Sequence, residues 1–307
     1  MRVLVVGASG AIGTRLIPQL TGEGHEVIGS SRSPAKADRL RSLGAQPITL
    51  DVLDPRAVRA AVESARPEAI IYQATALADA SFFRKLDRSF AQTNRLRTEG
   101  TDILLAAAQE AGVRRFVAQS FAPYRYAREG GPVKTEDDPL DQAPPATARQ
   151  TFAAMTHLDQ AVTSAGGIAL RYGGFYGDPD ALTKAVRRRM YPIIGDGAGV
   201  MPFIHLHDAA AATVLALDHD GPAIYNIVDD EPAPARDWLP VLADAVGAKP
   251  PRRAPVWLAR LLLGEGLVMM TESRGASNAK AKKELGWALR YSSWRQGFPA
   301  AFRQQRG

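Results

Sequence analysis

The chain has 307 residues, of which 46% are hydrophobic and 23% charged, with a net charge of +6. That suits one large α/β domain, or a domain with a smaller lobe. The absence of cysteine excludes disulfides, thiolate metal sites and cysteine nucleophiles, and fits a reducing, cytoplasmic compartment. The densest basic run, Arg187–Arg188–Arg189, reads as a solvated helix face, so no nucleic-acid partner is expected. No apolar run approaches the roughly 20 residues of a membrane span. The chain opens on a strand, so neither a membrane anchor nor a signal peptide is expected.

Arg2–Val6 (RVLVV) predicts a buried strand, Gly7, Gly10 and Gly13 follow in GASGAIG, and Ile12–Leu20 predicts a helix. Strand, glycine turn and helix form the geometry that binds a dinucleotide pyrophosphate. Gly7 makes the tight turn, Gly10 admits the phosphate, and Gly13 lets helix pack on strand. The N–H groups at the helix start face the anion, so Ser9, Ala11 and Ile12 join the expected contacts. Glu26–Ser30 is the second strand. A helix over Ala35–Leu43 stops at Gly44, and Pro47–Leu50 is the third strand. Pro55 opens a helix, as proline does in a first turn. Ala69–Gln73 is the fourth strand, followed by Ala74, Thr75 and Ala76 over the cofactor. A long helix ends near Gly112, and Arg115–Gln119 is the fifth strand. The proline- and acid-rich connection Gly130–Pro145 has the length of a lid. A helix over Ala148–Ser164 leads to the sixth strand, Ile168–Arg171.

This alternation predicts an α/β fold, a Rossmann-type doubly wound parallel sheet. Residues 1–173, with 202–228 returning, form the dinucleotide-binding domain. Residues 174–201 and 229–307 form a smaller C-terminal substrate lobe.

The second strand ends in Ser30, Ser31 and Arg32. A carboxylate there would bind a ribose 2′-hydroxyl; hydroxyls and a guanidinium suit a 2′-phosphate, so NADP(H) is preferred over NAD(H). Asp51 and Val52, after the third strand, face the adenine, although Asp51 equally suits capping the helix near Pro55.

The glycine turn, Asp51, YQATA at 72–76, LRYGGFYGD at 170–178, FIHLHDAAAA at 203–212 and NAKAKKELGW at 278–287 occur in order along the chain. Together they resemble the extended short-chain dehydrogenase/reductase superfamily, in its NAD-dependent epimerase/dehydratase group. The resemblance implies a Tyr–x–x–x–Lys pair on the helix after the fifth strand, with a Ser or Thr near that strand's end. Aligned through LDQAV, the helix carries Thr151 at the tyrosine position and Met155 at the lysine position, which marks an atypical member. Ser120, Tyr124 and Tyr126 are the substitutes, with Arg125 and Arg128 to lower a tyrosine pKa or hold an anionic substrate. His157 reads as structural. His205 and His207 resemble the family's strand-to-helix corner, and without a third ligand they predict no metal site.

Nucleotide-sugar members carry Asn where this chain has Gly174. The expected substrate wall is aromatic and apolar: Phe121, Tyr172, Phe175, Tyr176, Met201 and Phe203. That favours a hydrophobic or aromatic small molecule over a sugar diphosphate. The first functional reading is an NADP-dependent oxidoreductase with a non-standard mechanism. The others are a non-redox isomerase, cyclase or dehydratase, and an NADP-binding redox sensor without turnover. Expected partners are the small-molecule substrate and, in a homodimer, a second copy of the chain.

Overall fold

In the computed structural model, which describes residues 1–76, 86–178 and 180–302, the aliphatic runs form one parallel sheet. Its strands are β1 (Arg2–Val6), β2 (Glu26–Ser31), β3 (Gln46–Thr49), β4 (Ala69–Tyr72), β5 (Arg115–Phe121), β6 (Ile168–Tyr172) and β7 (Ala223–Ile227). Their order is β7-β6-β5-β4-β1-β2-β3. β1 is central and covered on both faces, which is why Val3 to Val6 are all aliphatic and fully buried. The strand order reverses between β1 and β4, and in doubly wound sheets a ligand crevice opens at that point.

Helices α1 (Gly13–Gly22), α2 (Ala37–Ser42) and α3 (Pro55–Ala65) follow the first three strands. Pro55 begins α3, and the cap is Asp54, whose carboxylate accepts from the Arg56 and Ala57 N–H groups. The helix expected over TDILLAAAQEAG is α6 (Thr101–Glu110), and α4 (Leu86–Ser89), α5 (Ala91–Arg95) and a π-helical turn (Leu96–Gly100) precede it. α7 (Arg149–Ser164) leads into β6. Later come α8 (Ala181–Arg187), α9 (Leu206–Leu215) and α10 (Ala235–Ala245). α1 and α9 pack on one face of the sheet, and α3, α6 and α7 on the other. A separate core gathers Tyr176, Phe203, Trp238, Trp294 and Phe298 beside α8, α10 and the terminal helix Trp294–Phe302. No helix among the described residues is long and apolar enough to cross a membrane.

The connection over residues 130–145 is a fastened strap, not the lid its length suggested. Val133–Lys134 pairs with Gly275–Ala276, and Tyr126 bridges Leu140. The Glu136 carboxylate accepts from the Asn226 N–H at 2.7 Å. Arg128 pairs with Asp141 at 3.2 Å, so it secures the strap and does not point to a substrate. These attachments satisfy the strap's polar groups in place, so releasing it would break all of them together.

A Cβ on Gly13 would stand 2.4 Å from the Ala8 carbonyl oxygen. Gly13→Ala must push the start of α1 away from the turn at Ala8 and is expected to lower stability by about 2 kcal/mol. Urea unfolding measures this; an unchanged midpoint would show that the turn has slack.

Candidate functional site

The carboxyl ends of β1, β2 and β4 open into a cleft of about 240 Å³. Gly7, Ser9 and Gly10 line it from the turn, Ser31 and Arg32 from the end of β2, Val52 from beyond β3, and Ala74 and Thr75 from beyond β4. Gly7 has φ +87°, and a Cβ there would fall 2.7 Å from the Ala74 backbone, so only glycine lets turn and strand end meet. Ser9 Oγ donates to Ser31 Oγ at 3.2 Å, tying the turn to the end of β2.

The other expected contacts lie elsewhere. Ala11 is exposed, Ile12 is buried in the core, and Gly13 packs against Ala8. They shape the start of α1 without lining the cleft. The Ala76 N–H donates to Thr93 Oγ1. Asp51 is exposed, and its carboxylate accepts from the Leu53 N–H, stabilising its own turn. Lys36, which sequence reasoning missed, joins Arg32 on the exposed rim. Its signal was the spacing of one helical turn after Arg32.

A second pocket adjoins the first, because Leu96 lines one and Arg97 the other. Phe121, Pro123 and Tyr124 enclose it from the end of β5, and Thr151, Phe152 and Met155 from α7. Thr151 Oγ1 donates to Asp87 at 2.8 Å and accepts from Asn94 Nδ2 at 3.1 Å. Asp87 also accepts the Gln150 and Thr151 N–H groups, capping α7 from outside the helix. Tyr124 holds a left-handed backbone at φ +68°, a strained conformation for a tyrosine. Burial pushes its phenol up to about 12, against a lowering hydrogen bond with Tyr191.

Ser120 and Tyr126 do not reach this pocket. Alternation along β5 sends Ser120 to the face opposite Phe121. There it is fully buried, and its Oγ accepts from Arg125 at 3.2 Å. Arg125 also meets Asp159 at 2.7 Å, and Arg171 Nε meets the same carboxylate oxygen at 2.8 Å. Arg171 donates onward to Tyr126 Oη, which donates to Asn226 Oδ1. Burial opposes the charge on Asp159, but Arg125 and Arg171 hold the carboxyl below its usual range. Ser120, Arg125 and Tyr126 are therefore members of a buried hydrogen-bonded network and do not line the pocket.

The expected aromatic wall dissolves in the same way, leaving only Phe121 in the pocket. Tyr172 is buried between Gln73 and Thr213, and Phe175 packs on it at 5.4 Å. Tyr176 and Phe203 form the second core, with Met201 against it. The motif LRYGGFYG is a packing element here. His157 pairs with Asp102 at 2.7 Å. His205 accepts the His207 N–H and caps α9, while Asp208 accepts the Arg290 and Tyr291 N–H groups.

A model of the NAD dependent epimerase/dehydratase family matches residues 3–228. The chain belongs to this family. It is 42% identical to a 3-diazoavenalumate denitrifying reductase from a Streptomyces species, over 97% of this chain and 99% of that one. It is 28% identical to a dihydroquinoline-1-oxide ketoreductase from Stigmatella aurantiaca, over 98% and 95% of the two chains. The fold matches a UDP-glucose 4-epimerase from Thermotoga maritima with a TM-score of 0.79 at 19% identity, covering 100% and 99% of the chains. A human epimerase family protein with NADPH matches with a TM-score of 0.75 at 21% identity, over 99% of each chain. Family membership and the reductase relatives place the chain among NAD(P)-dependent oxidoreductases. The family's dinucleotide fits the first cleft, which opens over the glycine turn and has Gly7, Ser9 and Gly10 in its wall.

Asp159→Asn leaves two buried guanidiniums without their counter-charge and should cost about 3–5 kcal/mol at neutral pH. The folded carboxyl is depressed, so its contribution exists above the unfolded pKa and is lost as pH falls through the folded one. Wild type and variant should therefore converge in acid. Urea unfolding across pH measures this, and equal stability at neutral pH would refute the role.

Proposed function

We propose that the chain is an NADPH-dependent reductase that replaces the diazo group of an aromatic small molecule with hydrogen, releasing N2. The observation that carries this reading is the 42% identity to a denitrifying reductase across both whole chains. The pocket chemistry agrees with it. Reduction of a carbonyl consumes a proton as well as a hydride. Thr151, aligned with the family's acid, has its hydroxyl held by Asp87 and Asn94, and Met155 offers no charge. Replacement of a diazonium group by hydride yields the arene and N2 and consumes no proton. A pocket with no acid among its described lining residues that ionises near neutral pH suffices for that reaction.

When bound, the dinucleotide supplies the hydride. The turn of Gly7 and Gly10 would hold its pyrophosphate, with Ser9 bracing the turn against Ser31. Arg32 and Lys36 line the cleft beyond the end of β2, where they would meet a 2′-phosphate, and this supports a preference for NADPH. Phe121, Tyr124 and Phe152 supply flat apolar walls for a conjugated ring. Their apolar surfaces also keep water from a reactive diazonium carbon.

Removing both rim cations in Arg32→Ala/Lys36→Ala should weaken NADPH by about tenfold or more while leaving NADH within about twofold. Fluorescence titration reads both; tighter NADH binding to wild type would reverse the preference. Incubation with 4-carboxybenzenediazonium should consume one NADPH per N2 released, above the enzyme-free rate. No enzyme-dependent NADPH loss, or turnover of 4-acetylbenzoate in its place, would contradict the denitrifying reaction.

A further inference from the structure

Arg97 is the one guanidinium lining the second pocket among the described residues. It is 4% exposed, and its Nη1 has no hydrogen-bond partner. No ion pair or side-chain hydrogen bond joins it to any described residue. Asp159, a buried carboxylate whose charge acts on it, gives its Oδ2 to Arg125 and Arg171, and its Oδ1 makes no hydrogen bond to Arg97 or to any other group. An unpaired buried cation is costly, and native structures keep one only where something compensates it. Burial, with Arg125 adding to it, pulls Arg97 down to about 10, which leaves it charged at neutral pH. Its backbone lies in the π-helical turn Leu96–Gly100. Such turns re-aim side chains and often mark functional sites.

Apart from the Tyr124 phenol and the Thr151 hydroxyl, which Asp87 and Asn94 hold, the lining is apolar: Leu86, Phe90, Phe121, Phe152, Met155 and Met269 share the pocket with the guanidinium. The enclosed cavity is small, about 30 Å³, and it opens through its mouth into solvent-connected space of about 380 Å³ in all. One fixed cation in an aromatic and aliphatic slot is complementary to a flat conjugated molecule with a single anionic end. A planar guanidinium matches a carboxylate through two parallel N–H···O bonds.

We propose that Arg97 binds the carboxylate of a conjugated aromatic acid, with the ring lying along Phe121 and Phe152. This rests on the reductase reading and names its substrate class: an aromatic acid, anchored by its carboxylate at Arg97 while the reacting group faces the cofactor cleft across Leu96. Arg97 is thus a substrate-anchoring residue and does not take part in proton transfer.

The test uses unreactive probes of the same shape, so it does not depend on turnover. Calorimetry compares trans-cinnamate with neutral trans-cinnamamide on the NADP⁺-saturated protein. Wild type should bind cinnamate about tenfold or more tighter than the amide, because a buried cation left unpaired discriminates strongly. Arg97→Gln should reduce that ratio to about one, and Arg97→Lys should keep part of it while losing the bidentate geometry. NADPH affinity should change by less than about twofold in both variants. If Arg97→Gln does not fold, the wild-type ratio and Arg97→Lys still decide. Equal binding of acid and amide, no binding of cinnamate, or a preference surviving Arg97→Gln would each overturn the proposal. So would loss of NADPH affinity matching the loss of cinnamate, which would make Arg97 a cofactor residue. A failed diazonium assay with cinnamate selectivity intact would refute the reaction while leaving the anchor standing.

Discussion

One buried carboxylate organises the half of the molecule around the second pocket. Asp159 sits on α7 and draws two guanidiniums to a single oxygen, one from the segment after β5 and one from β6. Ion pairs of this kind gain little over apolar packing but are severe when broken, so they act as a lock. The lock fixes the register of α7 against the sheet, and with it the placement of Met155 one turn and Thr151 two turns earlier. It also fixes the chain on either side of Arg125. Tyr124 precedes Arg125 and is held at φ +68° facing the pocket. Tyr126 follows it and is turned inward to Asn226. Through Asn226 and Glu136 the same network reaches the strap that covers this edge of the sheet.

The consequence for chemistry is a separation of duties. The polar groups near the end of β5 are consumed by structure, in the buried network that Asp159 anchors on α7. Among the described residues, the pocket keeps aromatic walls, two methionines, a threonine with both hydrogen-bonding directions occupied, and one unpaired guanidinium. Tyr124, pushed up to about 12 chiefly by burial, is a poor acid at neutral pH. Such a site can position a ring and exclude water. It suits a reduction in which hydride is the only particle the reaction needs.

Much of the fold was legible because strands covered on both faces leave uninterrupted aliphatic runs, as in RVLVV and AIIY. The glycine turn was legible because close backbone approach admits only one residue type, as Gly7 shows against Ala74. The fate of Ser120 and Tyr126 was hidden, since it depends on partners 34 and 100 positions apart, Arg125 with Asp159 and Tyr126 with Asn226. No local pattern encodes such pairings. The aromatic motif after β6 reads as a binding wall by residue type alone, yet its rings fill the second core. Arg97 was hidden for a geometric reason. In TNRLRTEG it looks like one more solvated helix charge, and only the π-helical turn brings it into the pocket.

The central claim is that no side chain delivers a proton when the substrate is reduced. The measurement that tests it most directly is the single-turnover rate of NADPH oxidation, followed by stopped flow across pH at saturating aryl diazonium carboxylate. The account predicts a flat rate from about pH 6 to about pH 8, since the pocket's ionisable groups titrate well above that window. A rate that falls as pH rises through a single ionisation inside the window would contradict it, because that dependence requires a side-chain acid.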